Sequence, residues 1–185
     1  GGGWPETFED IAAGVDALAD LDAPLDLERV AAVGHSAGGH LALWAAARPT
    51  LPEGTPGTRP RVRVGAAVSQ AGVLDLRLAA QLVPSAEPTQ ALLGDPEDHP
   101  DRYELASPRE RVPLGIPHLV LHGDRDDTVS IRIATSYAGA ARAAGDACEL
   151  VVLSGTGHFE HIDAGSPAWH VAREWLESHL STARR

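Results

Sequence analysis

The segment VAAVGHSAGGHLALWAAA, Val30 to Ala47, admits few folds. A short apolar run stops at Gly34, a serine follows between small residues and glycines, and a run rich in Ala and Leu begins at once. Gly34-His35-Ser36-Ala37-Gly38 is G-x-S-x-G between a strand and a helix, the context that gives this pattern meaning. The turn is so tight that Ser36 is expected in a strained backbone conformation. Gly34 and Gly38 are expected to lack a Cβ because neighbouring backbone comes too close. Such a turn lifts the Ser36 hydroxyl above the sheet. It also aims the Ala37 amide and the helix N-terminus at one point, where a developing oxyanion could sit.

Elsewhere, apolar runs alternate with helical patterns. Phe8, Ile11, Val15 and Leu18 repeat at helical spacing, with Thr7 and Asp10 as a start signal. Strands are expected at Arg29–Gly34, Arg63–Ser69, His118–His122 and Glu149–Leu153. Helices are expected at Ala37–Arg48, Asp75–Leu82, near Gln90, at Ser130–Ala144, and after Ser166-Pro167. Trp169, Ala172, Trp175, Leu176 and Leu180 share one face of that last helix. Pro49 to Pro60 holds four prolines and reads as a surface loop. Pro84 to Pro113, broken by prolines and charges, reads as a cap or lid. The pattern predicts a single α/β domain over 1–185, a mostly parallel sheet with helices on both faces. Sites in such sheets form beyond the carboxyl ends of the strands.

A serine hydroxyl needs a base, and the base needs an orienting carboxylate. Two later strands end in loops that hold both, His122-Gly123-Asp124-Arg125-Asp126-Asp127-Thr128-Val129 and Ser154-Gly155-Thr156-Gly157-His158-Phe159. The chain order is Ser, Asp, His. At these three loops the chain resembles the α/β-hydrolase superfamily, and within it the esterase and prolyl-oligopeptidase-like branch. The resemblance runs over nearly the whole chain. It implies Ser36 as nucleophile, His158 as general base and Asp126 as orienting acid, with the family spacing favouring Asp126 over Asp127. It implies a serine hydrolase cleaving a small carboxylic ester through an acyl-enzyme, with no cofactor. The same three residues would equally serve a prolyl-oligopeptidase-like peptidase or an arylformamidase, and the fold can also persist in a non-catalytic interaction protein. Family members place further strands before the elbow, with a loop, often His-Gly-Gly, that gives a second oxyanion amide. No such segment precedes this elbow. The expectation is the C-terminal part of a longer hydrolase, whose elbow strand has an unpaired edge and whose oxyanion hole is half built.

The remaining residues have quieter readings. His35 and His40 are expected to pack or hydrogen-bond beside the elbow, and His122 to hold the acid loop. His158, His161 and Asp163 match no zinc spacing, and the one cysteine, Cys148, reads as a small core residue, so no metal is expected. Trp44, Trp169 and Trp175 are expected to pack on the sheet, and Trp4 in the core or a loop. A net charge of -11, from 26 acidic and 15 basic residues, argues against a nucleic-acid partner. No apolar run is long enough to span a bilayer. The lone cysteine points to a reducing, cytoplasmic compartment.

Overall fold

The computed structural model describes residues 2–82 and 87–181. Residues 83–86 lie outside the described residues, and with them the first three residues of the expected cap segment, 84–86. In chain order the elements are α1 (Glu6–Asp16), β1 (Ala31–His35), α2 (Ala37–Ala47), β2 (Ala66–Gln70), α3 (Leu76–Leu82), α4 (Glu87–Leu93), α5 (Pro100–Ala106), β3 (His118–Gly123), α6 (Ile131–Ala143), β4 (Cys148–Leu153) and α7 (Pro167–Ser181). Short 3-10 turns connect several of them.

The four strands are all parallel, in the order β1-β2-β3-β4. The alternation of short apolar strands with helices dictates this, because a parallel connection needs a crossover. Side chains alternate between two faces. Ala67 and Val120 meet Leu43, Ala46, Ile133 and Tyr137 from α2 and α6. Ala66, Val68, Leu119 and Leu121 meet Ala172 and Trp175 of α7 on the other side. The result is a three-layer sandwich whose carboxyl strand ends all lie on one rim. Among the described residues β1 pairs with β2 alone, and Val33 on it is 40% exposed. An apolar groove of about 470 Å³ runs along this open edge, lined by Ile11, Val15, Val33 and Leu41.

Several local expectations need correcting. Thr7 is not the cap of α1. Pro5 holds that position, and Thr7 sits inside the first turn, where its Oγ1 accepts the Gly3 N–H at 2.9 Å. Trp44 does not pack on the sheet. α2 is apolar all round, and Trp44 turns away to meet the Phe8 ring at 4.8 Å and to donate Nε1–H to the Leu105 carbonyl. Helix α5 is an addition. Pro100 stands in its first turn, where its missing N–H costs nothing, and Tyr103 and Ala106 are fully buried against Phe8, Trp44 and Leu93.

Away from the rim, one ion pair is deeply placed. Arg48 is 1% exposed and bonds both Asp16 oxygens, at 2.6 and 3.2 Å. Asp16 also accepts the Arg61 and Val62 backbone N–H groups. The carboxylate thereby joins α1, α2 and the loop that leads to β2. Burial opposes its charge, but the Arg48 guanidinium and these two N–H groups outweigh burial and lower its pKa.

Candidate active site

The elbow after β1 is built from backbone proximity. Ser36 lies at φ 55°, ψ -120°, where a residue with a Cβ is strained by about 1–3 kcal/mol. Its surroundings hold it there. The Ser36 N–H donates to the Gln70 carbonyl at 2.8 Å, and its own carbonyl accepts the His40 N–H at 3.1 Å. A Cβ on Gly34 would lie 2.0 Å from the Gly38 carbonyl oxygen, so only glycine fits. The second tight glycine is Gly39 rather than Gly38. A Cβ on Gly39 would fall 2.8 Å from Ser69 Oγ and 3.0 Å from the Gly72 Cα, while one on Gly38 would meet nothing within 4 Å. The reason is the helix turn: Gly39, not Gly38, faces the end of β2. Ala37 opens α2 and is exposed, and N–H groups in a first helical turn have no carbonyl partner within the helix. The Gly3 N–H, by contrast, is committed to Thr7.

The acid and histidine loops follow β3 and β4, which are neighbours in the sheet. Their backbones touch at Gly123, where a Cβ would lie 2.0 Å from the Thr156 carbonyl oxygen. The Arg125 N–H donates to that same oxygen at 3.0 Å, and Asp124 Oδ1 accepts the Gly155 N–H at 2.7 Å. Asp124 thus braces one loop on the other. Asp127 is exposed and, among the described residues, accepts only the Thr128 hydroxyl. Asp126 is the acid that faces the histidine. Its Oδ1 accepts the Thr128 and Val129 N–H groups at 2.9 and 2.8 Å, and its Oδ2 accepts His158 Nδ1–H at 2.8 Å. The side chain is fully buried, which disfavours its charge. The His158 N–H and the two backbone N–H groups outweigh burial and hold the carboxyl below its ordinary pKa. A charged Asp126 fixes the proton on His158 Nδ1, which leaves Nε2 as the basic nitrogen.

Three side chains at strand ends form a floor under these loops. His35, at the end of β1, donates Nε2–H to the His158 carbonyl at 2.8 Å, and its ring centroid lies 4.5 Å from that of His158. Gln70, at the end of β2, donates to the His161 carbonyl at 3.0 Å. His122, near the end of β3, donates Nε2–H to the Val129 carbonyl at 2.8 Å and lies 3.3 Å from Asp126 Oδ2. His40 packs locally as expected, its Nε2 on the Ala106 carbonyl at 2.8 Å. The structure therefore brings His158 and Asp126 into contact and sets both beside the dipeptide that carries Ser36.

Next to Ser36 opens a cavity of about 660 Å³. Val73, Ala79, Leu82, Val129, Ile131 and Ile133 give it an apolar wall, and Ser36, Ala37 and Asp126 stand at its polar end. Ala79 and Leu82 belong to α3, Ile131 and Ile133 to α6, and Val73 to the loop after β2, and no motif announced them; Val129 alone belongs to the acid loop. Only the position of α3 and α6 directly after strand ends could have pointed there.

Among the described residues no helix is long and apolar enough to cross a membrane. No curated protein sequence matches the chain. Solved structures do. A truncated form of a carbohydrate esterase from gut microbiota superposes with a TM-score of 0.80 at 22% identity, over 97% of this chain and 70% of that one. The thermophilic esterase Est2 of the planctomycete Thermogutta terrifontis, with butyrate bound, gives a TM-score of 0.71 at 26% identity, over 94% of this chain and 64% of that one. An acylaminoacyl peptidase in complex with Z-Gly-Gly-Phe-chloromethyl ketone gives 0.76 at 19% identity, over 96% of this chain but 28% of that one. This chain spans 70% and 64% of the two esterases' length and 28% of the peptidase's. The prolyl oligopeptidase family matches from residue 5 to residue 181. With that match over nearly the whole sequence, and a parallel sheet that the α/β-hydrolase esterases and peptidases share, the chain belongs to the prolyl oligopeptidase family of serine hydrolases.

Proposed function

We propose that the protein hydrolyses short-chain carboxylic esters through an acyl-enzyme, with Ser36 as nucleophile, His158 as general base and Asp126 as orienting acid. The observation that carries this reading is the 2.8 Å bond from His158 Nδ1 to Asp126, formed alongside a serine held at positive φ. In the first step Ser36 Oγ bonds to the acyl carbon as its proton passes to His158 Nε2. The carbonyl π electrons move to oxygen, and the Ala37 N–H faces the oxyanion at the start of α2. Asp126 stays ionised and stabilises the imidazolium. Collapse breaks the bond to the leaving oxygen, which takes the proton from Nε2. Water then attacks the acyl-enzyme, gives its proton to His158, and the acid departs as that proton returns to Ser36 Oγ.

An ester is favoured over a peptide by the apolar cavity beside Ser36, which fits a short acyl chain. Est2, whose structures hold butyrate and propionate, supports the same choice. Segment 84–113 belongs to this proposal as a cap, since Pro88 and Thr89 of α4 stand in the cavity wall. So does a reducing, cytoplasmic setting. Cys148 is a free thiol whose pKa burial pushes up to about 11, so it is an inert core group.

The test is labelling with a fluorophosphonate, peptide mapping of the label, and hydrolysis of p-nitrophenyl esters from acetyl to octanoyl. A label on Ser36 that the Ser36→Ala variant lacks, with a preference for short acyl chains, is the expected result. Absence of both label and turnover would overturn the catalytic reading and leave a binding protein with this fold. Turnover of peptide anilides in place of esters would favour the peptidase.

A further inference from the structure

We propose that His35 is a positioning residue for His158: its Nε2–H holds the His158 main chain, and its ring backs the His158 imidazole. The kinetic half of this inference rests on the function proposed above. The structural half does not.

The problem His35 solves is one of distance across the sheet. Ser36 follows β1, whereas His158 follows β4, three strands away, which is about 14 Å at the usual strand spacing. The histidine loop has to arch back over the ends of β2 and β3. Its contacts with Asp126 fix where the ring points relative to the acid, not where it stands relative to the nucleophile. His35 supplies the missing coordinate. A carbonyl oxygen only accepts, so the 2.8 Å contact assigns the proton to His35 Nε2. The loop also closes round the same ring. The His158 centroid lies 4.5 Å away, that of Phe159 6.1 Å and that of His161 6.2 Å, the last nearly parallel. His35 is a peg with three loop rings about it, and it is bonded covalently to Ser36. One dipeptide thus sets both ends of the proton transfer.

The charge state agrees with this use. Burial lowers the pKa of His35, against the opposing pull of the His158 carbonyl; the His158 ring lowers it further and Asp126 raises it. His161, fully buried and nearly parallel to the ring, has its own pKa pushed down to about 4, chiefly by burial. A neutral His35 can lie against His158 while the latter becomes an imidazolium. A cation there would oppose that step.

The experiment compares wild type with His35→Phe, which keeps an aromatic ring and loses the donor, and His35→Gln, which keeps an N–H donor near Nε2. Two readouts are taken. In histidine-labelled protein, the downfield Nδ1–H resonance of His158, bonded to Asp126, should be sharp in wild type and His35→Gln and broadened or lost in His35→Phe. On a p-nitrophenyl ester, His35→Phe should lower kcat on the order of tenfold to a hundredfold, the cost of misplacing a reacting group by about 1 Å. KM should hold within about twofold, because substrate contacts are untouched. His35→Gln should recover most of the rate. The proposal falls if His35→Phe keeps both resonance and rate, or if His35→Gln is as impaired as His35→Phe, since a packing role would then suffice. Should His35→Phe fail to fold, His35→Asn replaces it, because its amide stops short of the carbonyl. If wild type turns over no ester, the esterase reading fails while the resonance contrast still decides the role of His35.

Discussion

His40 is a group whose protonation should set the acid stability of this fold. It lies in α2 one turn beyond Ser36, 3% exposed, with the Phe8 ring at a centroid separation of 5.9 Å and nearly perpendicular, and Nε2 bonded to the Ala106 carbonyl. Burial, only partly offset by that bond, lowers its pKa to about 4. In the unfolded chain the ordinary value of about 6.5 returns. Below pH 6.5 the unfolded state therefore binds a proton that the folded state refuses. The contribution of His40 is fully present near neutrality and is lost as pH falls from about 6.5 towards about 4. Linkage between pH 7 and pH 5 amounts to about 2 kcal/mol, or about twentyfold in the folded-to-unfolded ratio. His40→Gln removes the titration and keeps a donor for Ala106. In urea unfolding at both pH values, wild type should lose about 2 kcal/mol more than the variant. His161 and the carboxylates titrate in both proteins, so they cancel in the difference. Equal losses, or a His40 resonance that titrates near 6.5 in the folded protein, would refute the reasoning.

Other outcomes follow from the same geometry. Asp126→Asn should release the wrong tautomer at His158 and lower kcat about ten thousandfold with little change in KM, measured on the best p-nitrophenyl ester. Val73→Trp should narrow the cavity beside Ser36 and cut kcat/KM at least tenfold for butyryl and longer chains, while acetyl esters hold within threefold. Arg48→Met should strand the half-buried Asp16 carboxylate and cost about 3 kcal/mol in chemical denaturation; a loss under about 1 kcal/mol would show that Asp16 is satisfied by the Arg61 and Val62 amides alone.

The sequence made the strand–elbow–helix unit legible because sterics leave G-x-S-x-G few alternatives between an apolar run and a helix. The order of the acid and histidine loops was legible for a similar reason, as each ends a recognisable strand. Which glycine carries the close approach was not. Gly38 and Gly39 are adjacent, and only the packing of α2 on β2 selects Gly39. The direction of Trp44 was hidden because a helix buried all round has no apolar stripe to orient it. Helix α5 was hidden by its charges, since Tyr103 and Ala106 alone of its seven residues are fully buried, with Leu105 partly so. The part played by His35 was invisible for a deeper reason. Its partner is a main-chain carbonyl 123 residues away, and no side-chain pattern records that.

The floor of strand-end side chains has a consequence for how this protein would fail. His35 and Gln70 each grip the histidine loop through a single carbonyl, and the loop's own large apolar side chains, Phe159 and Ile162, are 66% and 60% exposed. Little apolar burial therefore anchors this arch, whereas the sheet beneath it is sealed by α2, α6 and α7. Such a segment opens at a fraction of the free energy that melts the whole domain. Warmth or mild denaturant would detach the arch first, so the histidine would drift from its serine while the core stays intact. Catalytic inactivation would then run ahead of any spectroscopic sign of unfolding, and cooling would restore it without refolding.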